Sequence, residues 1–480
     1  MKKNIYLILI ILTGVILILL YGTKKQIYDG DELYSYSLSN SKKHGFMINN
    51  IKLNEWNSKE EIKDIFALNN DEIFSFLSVY KNQARDVHPP FYYALFHIIS
   101  ILFLNKFSIL PGLILNIISY IILMIYLYKI SEQILPEKEK YIPCILYTIS
   151  LGMISTAMFI RMYMLLTAAC VAFTYYFLCI TKEMNKKNLI KLSICTYIGF
   201  MTHYFFLVYA FFISLIYLIH LIIKKKNIIT YTKTILIPII TGFITFPFAY
   251  IHIFKGYRGE ETQDNLVKSN IVENFKNIYD RFNKDIFYNM MPIIILITLI
   301  LIIILLKKNY KKIKNNVFMI TLLIGTILYF ILTLKIIPIL STRYFYPIYP
   351  LIFLIIYYII SKSINNKYIK IGITTILIIL SITTQIKYEP SWISQRTSNN
   401  IDKNVIYVIK DDYTTISESQ FLMDYNKIYY TNENFDNYEI IENSDKDVII
   451  KTDNIKLLEN IIKNTKYTEY EQQGIGYILK

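Results

Sequence analysis

The chain carries apolar runs too long and too unbroken for a water-soluble core. IYLILIILTGVILILLYG fills 5–22, IIILITLILIIILL fills 293–306 and LIFLIIYYII fills 351–360. A backbone that crosses lipid must satisfy its own polar groups, and helices of about 20 apolar residues do so. With 54% hydrophobic residues over 480 positions, the composition excludes an ordinary soluble enzyme. The first block is of borderline length for a signal-peptide apolar region, but no small-residue cleavage site follows it, so it reads as an uncleaved span.

The net charge of +15 is not a nucleic-acid signal. It gathers in short loops between apolar blocks: KEMNKKN (182–188), KKK (224–226) and KKNYKKIKNN (307–316). Lysine-rich loops stay on the cytoplasmic side. That rule, started from MKK at the N-terminus, puts a long first loop (about 23–88) and a second loop (about 255–288) outside. Between 88 and 182 the apolar blocks 91–104, 109–128, 141–160 and 163–181 give the wrong parity if all cross. The first is short for a span, and as an interfacial or re-entrant segment it leaves about 11 crossings. The fold class is a polytopic α-helical membrane protein of about 11–13 transmembrane helices over 1–385. The tail, 386–480, is polar and reads as a small external α/β domain. Strands are expected at NVIYVIK (404–410), DVIIKTD (447–453) and IGYILK (475–480), with a helix at IKLLENIIKN (455–464). Cys144, Cys170, Cys179 and Cys195 all lie in apolar blocks and form no CxxC pair, so they are small buried hydrophobes.

In this orientation the chemistry-bearing residues gather outside. Asp29, Asp31 and Glu32 follow the first span; Arg85, Asp86 and His88 end the first loop. Arg161 and Tyr163 follow the 141–160 block, His203 and Tyr204 occupy an outer turn, and Arg343 and Tyr344 open a late span. Arginine and histidine side chains suit a phosphate or diphosphate. A carboxylate can take a proton from an attacking hydroxyl. A bland alternative stands beside each assignment: loop acids for Asp31 and Glu32, a turn cap for His88, headgroup anchors for Arg161 and Arg343. His97, His220 and His252 read as structural.

DELYSY (31–36), ARDVHPPFYYALFHI (84–98), RMYMLL (161–166), THYFF (202–206) and STRYFYPIYP (341–350) occur in an order that resembles the GT-C superfamily of polyprenyl-phosphate-dependent glycosyltransferases. Within it, the motifs look like the bacterial branch of protein mannosyltransferase-like and RgtA/B/C/D-like enzymes. The resemblance covers about 350 residues and omits the tail. It implies a helical bundle whose first external loop folds over a cavity. It implies a sugar donor on a polyprenyl phosphate, transfer on the outer face of the cytoplasmic membrane, Asp31 as catalytic acid–base residue and Glu32 as its companion. His88 matches the basic position after the first loop. The acceptor class is an envelope glycan, a lipid or a protein, and membrane lipid is the surrounding partner.

Donor phosphate or sugar would then meet Arg85, Asp86, His88, Arg161, Tyr163, His203, Arg343 and Tyr344. No nucleotide loop is needed, and none is present. No certain cofactor follows from the residues; a divalent metal is left open, because no closed ligand set is visible. The competing reading is a transporter or flippase for a lipid-linked envelope precursor, which should carry internal repeats or broken midplane helices. No convincing repeat is found.

Overall fold

A computed structural model of the chain describes residues 4–42, 45–314, 316–394, 396, 401–444, 446–473 and 476–479. Met1–Lys3, from which the orientation starts, and Ile475 and Lys480 at the ends of the last expected strand lie outside the described residues. The chain divides into two compact units. One comprises 1–24, 83–92 and 112–393; the other comprises 25–82, 93–111 and 394–480.

The first unit is helical. Among the described residues, eight helices are long and apolar enough to cross a membrane. They are Ile5–Gly22, Leu110–Ile134, Tyr163–Lys182, Phe205–Lys224, Ile228–Thr245, Val317–Ile336, Thr342–Ser363 and Lys367–Lys387. A ninth arises if Ile271–Phe287 and Met291–Lys307, bent by 63° at their junction, count as one span. The outer faces carry exposed Ile and Leu, such as Ile8, Leu12 and Ile16 on the first helix and Ile371, Ile376 and Ile379 on the last. Apolar side chains left out of the protein core on that scale are a lipid-facing surface. The chain is therefore a polytopic helical membrane protein.

The span count by length is lower than the 11–13 helices expected, for local reasons. The 141–160 block is two short helices, Ile142–Thr148 and Leu151–Met158, because the Ser150 hydroxyl accepts from the Met153 N–H and starts a new helix. Lys186–Thr202 has 17 residues, about 26 Å of helix, which is less than the roughly 30 Å hydrocarbon core. The segment 255–288, expected as a loop, is helical over Tyr257–Lys268 and Ile271–Phe287. The 91–104 block is a short apolar helix, Phe91–Ser100, with a 3-10 turn to Phe103, which fits its expected shortness.

The second unit holds a six-stranded sheet: β1 (Trp56–Ser58), β2 (Asn404–Val408), β3 (Lys427–Thr431), β4 (Val448–Lys451), β5 (Tyr470–Gln473) and β6 (Gly476–Leu479). The order is β1-β3-β2-β4-β6-β5, parallel at β3-β2-β4 and antiparallel at both edges. Parallel strands need crossovers, which the helices Asp412–Leu422 and Glu439–Glu442 supply. Ile406, Ile450, Leu458 and Ile461 lie in its apolar core. The sheet is a composite, since β1 comes from the first loop and pairs Trp56 with Tyr429. The three tail strands and the helix read from the sequence are all present, at β2, β4, β6 and Ile455–Lys463.

The acid-bearing helix Gly30–Asn40 belongs to this same unit. The Gln420 amide clamps the Tyr28 backbone, accepting from its N–H at 2.8 Å and donating to its carbonyl at 2.7 Å. At Gly30 a Cβ would collide with the Ser417 hydroxyl and the Tyr413 ring, so the close approach of helix Asp412–Leu422 requires glycine there.

Candidate functional site

The break between helices Leu151–Met158 and Tyr163–Lys182 sets Arg161. A helix end leaves carbonyls without partners. Here the buried Asn116 amide donates to the carbonyls of Ala157 and Phe159 at 2.8 and 3.0 Å, and the Arg161 N–H donates to Phe159 at 2.8 Å. The turn is thereby fixed, and Arg161 is only 4% exposed. Tyr163 follows, its ring stacked near that of Phe159 at 5.6 Å.

His203 ends helix Lys186–Thr202 in an extended conformation. Its Nδ1 accepts from the Phe205 N–H at 3.0 Å, which starts the next helix. In the neutral ring the proton then sits on Nε2. That atom is buried and has no hydrogen-bond partner among the described residues, and the same holds for Nδ1 of His88. The two imidazoles lie 5.2 Å apart by ring centroids, and Tyr163 lies 5.4 Å from His203.

Arg343 opens the late span within the turn Thr342–Ile348. Its guanidinium sits over three rings: Tyr344 at 5.3 Å, Phe159 at 5.5 Å and Tyr163 at 6.0 Å. Such faces stabilise a desolvated cation. Tyr344 meets Tyr163 edge-on at 5.9 Å, and its carbonyl accepts from the Tyr329 hydroxyl at 2.6 Å. Asp86 lies close enough to raise the Tyr204 phenol, whose shift comes first from burial.

The electrostatics follow from burial beside two guanidinium groups. His203 is pushed down to about 3, first by desolvation and then by Arg161 and Arg343. His88 is held well below the usual range by desolvation, Arg161, His203 and Arg343. Both rings are thus neutral near pH 7, and His88 is a neutral donor or acceptor rather than a cation.

The first unit therefore brings together His88, Arg161, Tyr163, His203, Arg343 and Tyr344, with Asp86 beside Tyr204. Arg85 ends the helix Phe76–Arg85 with an exposed side chain. Asp29, Asp31 and Glu32 lie in the second unit. There Asp29 is the N-cap of helix Gly30–Asn40 and accepts from the Asp31 N–H at 2.9 Å. Glu32 is fully buried, accepts from the Asp29 N–H at 2.8 Å and pairs with Lys25 at 2.8 Å. Asp31 is half-buried in the first turn.

Three groups were not singled out by the motifs. Phe159 underlies both Arg343 and Tyr163; its position two residues before Arg161 was the available signal. Gln83 is fully buried, and neither end of its amide has a partner among the described residues. His252, read as structural, accepts from the Tyr204 hydroxyl at 2.9 Å and adds to the field at His88. No group of three or more His, Cys, Asp or Glu is placed to hold a metal ion among the described residues.

The site residues occupy one end of their helices and lysines the other. Tyr163–Lys182 runs from Arg161 to the basic loop at 182–188; Lys186–Thr202 returns to His203; Phe205–Lys224 runs from His203 to the KKK loop.

No curated protein matches the chain. A family model, that of the EpsG family, matches residues 65–391. The matched span holds both histidines and both arginines of the cluster and excludes Asp29–Glu32 and the tail beyond residue 391. The motifs pointed within the GT-C superfamily to the RgtA/B/C/D-like branch, whereas the model matched is the EpsG one. A multi-pass helical bundle, with a buried basic and aromatic cluster inside the matched span, thus belongs to the EpsG family, a family of glycosyltransferase-like membrane proteins.

Proposed function

We propose that the protein transfers a sugar from a polyprenyl-phosphate donor to an acceptor hydroxyl of an envelope glycan, lipid or protein, on the outer face of the cytoplasmic membrane. The observation that carries this reading is the buried set of two guanidinium groups and two neutral imidazoles at the helix ends opposite the lysine loops. By the positive-inside rule that end faces outward. Guanidinium groups match phosphate oxygens in two-pronged geometry. The Nε2–H of His203, buried without an acceptor among the described residues, suits a phosphate oxygen, since a buried donor left unmade is costly.

In the reaction the acceptor oxygen bonds to the anomeric carbon. The bond from that carbon to the phosphate oxygen breaks, and its electron pair leaves with the polyprenyl phosphate. Arg161 and Arg343 offset the charge that develops on the leaving group. Asp31, in the first turn of its helix, is assigned the acceptor proton. Glu32 holds the helix start that carries Asp31, so its part is positioning. Asp86 is the alternative base.

The test is transfer of radiolabelled sugar from a panel of undecaprenyl-phosphate sugars by the purified protein. Release or transfer that depends on Arg161 and Arg343 is the expected result. Absence of both, with undecaprenyl phosphate bound no better than a neutral prenol, would overturn the reading.

A further inference from the structure

A cleft of about 320 Å³ opens in the first unit between helix Ile271–Phe287, the Leu340–Thr342 segment and Ser391–Trp392. It falls within the usual size range of small-ligand sites. We propose that it binds a saccharide ring of the acceptor, a proposal that rests on the glycosyltransferase reading above.

The lining decides the ligand class. Asn277 supplies an amide, Ser341, Thr342 and Ser391 supply hydroxyls, Arg281 a guanidinium edge and Trp392 an indole. A flat aromatic wall with several short donors and acceptors suits a ring that has hydroxyls at its rim and C–H groups on its faces. A lipid tail would leave those polar groups without water or partners. An anion is disfavoured because the charge of Arg281 is already matched by the buried Asp285, 3.1 Å away.

The walls are held in place before any ligand arrives. Arg281 also donates to the Glu389 carbonyl at 2.7 Å and to the Ser155 hydroxyl at 2.8 Å, and Ser155 in turn accepts from the Ser391 N–H at 3.1 Å. Trp392 stands in the left-handed region at φ 68°, a costly conformation for a bulky residue. Its indole N–H donates to the Tyr346 hydroxyl at 2.9 Å, and its ring stacks on Phe159 at 4.0 Å. Preorganisation of this kind lowers the entropic cost of binding.

The cleft also adjoins the basic cluster. Thr342 precedes Arg343 in the chain, and Phe159 touches both Trp392 and the Arg343 guanidinium. An acceptor ring here would lie beside the proposed donor phosphate.

The chain has two tryptophans, so Trp56→Phe leaves Trp392 as the sole indole reporter. The purified full chain would be titrated with free hexoses, N-acetylhexosamines, oligosaccharides released by acid from the producing cells' own envelope, and inorganic phosphate. The expected result is a saturable change in Trp392 emission with at least one saccharide and none with phosphate. Asn277 is exposed, so Asn277→Ala leaves the fold intact; it should raise half-saturation by about 10-fold through lost hydrogen bonds. Undecaprenyl phosphate binding should not change in that variant. No response to any saccharide, a response to phosphate, or a response unaltered by Asn277→Ala would each overturn the proposal. If undecaprenyl phosphate still binds in those cases, only the cleft assignment falls; if it does not bind the parent protein either, the functional reading falls with it.

Discussion

The rings of His88 and His203 pack 5.2 Å apart at an interplanar angle of 33°, and each carries a buried nitrogen with no protein partner among the described residues. Two imidazoles this close beside two guanidinium groups can share a ligand only while they stay neutral or while an anion offsets the added charge.

That arrangement fixes the sign of a pH effect. His203 is lowered from 6.5 to about 3 in the folded protein, so between those values the unfolded chain binds the proton and the folded one does not. Its stabilising contribution is full above pH 6.5 and is lost as pH falls toward 3. By pH 5 the loss from His203 alone is about 2 kcal/mol. Thermal unfolding of the ligand-free protein at pH 7 and pH 5 checks this. His203→Gln should flatten the difference, and an unchanged slope would count against neutral burial.

The Arg343 guanidinium lies over the rings of Phe159, Tyr163 and Tyr344, beside the paired imidazoles proposed to meet the donor phosphate. Arg343→Ala should weaken undecaprenyl phosphate binding by about 10–100-fold, as for a lost charge-assisted hydrogen bond. Lysine at the same position should restore only part, because it keeps the charge and loses the fork. Equal affinity in all three proteins would make Arg343 a packing residue.

Asp29 and Asp31 separate by position on their helix. Asparagine is as good an N-cap as aspartate, so Asp29→Asn should retain near-parental turnover. Asp31→Asn should lower turnover by about 10²-fold with donor binding nearly intact. Measured side by side, a dead Asp29→Asn with an active Asp31→Asn would shift the base to the N-cap. Two active variants would move it to Asp86.

Lys25 and Glu32 form an ion pair with side chains 1% and 0% exposed. Glu32→Gln keeps an oxygen for the Asp29 N–H and removes the carboxylate charge opposite the buried lysine ammonium, at a cost of about 3 kcal/mol. Adding Lys25→Met should recover most of it. Hydrogen exchange over residues 30–40 reads the effect locally, and a double variant no better protected than the single one would refute the coupling.

The sequence displayed the spans because unbroken apolar runs have few other fates, and it displayed β2, β4 and β6 because each is a short apolar run in a polar tail. It hid the break at Ser150, since one serine inside an apolar run looks like any other. It hid β1, because WNS has no strand character apart from its partner at 427–431. Asp29-x-x-Glu32 was legible as a capping box before a helix, yet Glu32 was read for chemistry because Asp31 and Glu32 open the DELYSY motif. The convergence of Arg161, His203 and Arg343 was legible through charge-based topology, whereas Phe159 and Trp392 were not, as aromatic residues abound in this chain.

The Gln420 clamp on Tyr28 spans 392 residues of sequence, and β1 likewise finds its strand partner only near the end of the chain. Synthesis runs at about 5–20 residues per second, so the segment around Tyr28 waits roughly 20–80 s for Gln420 to be made. Through that interval the DELYSY helix and the WNS strand lack the contacts that complete their fold. A chain stopped before residue 412 never ends the wait, so premature termination far from every candidate site residue would leave the first loop open to proteases.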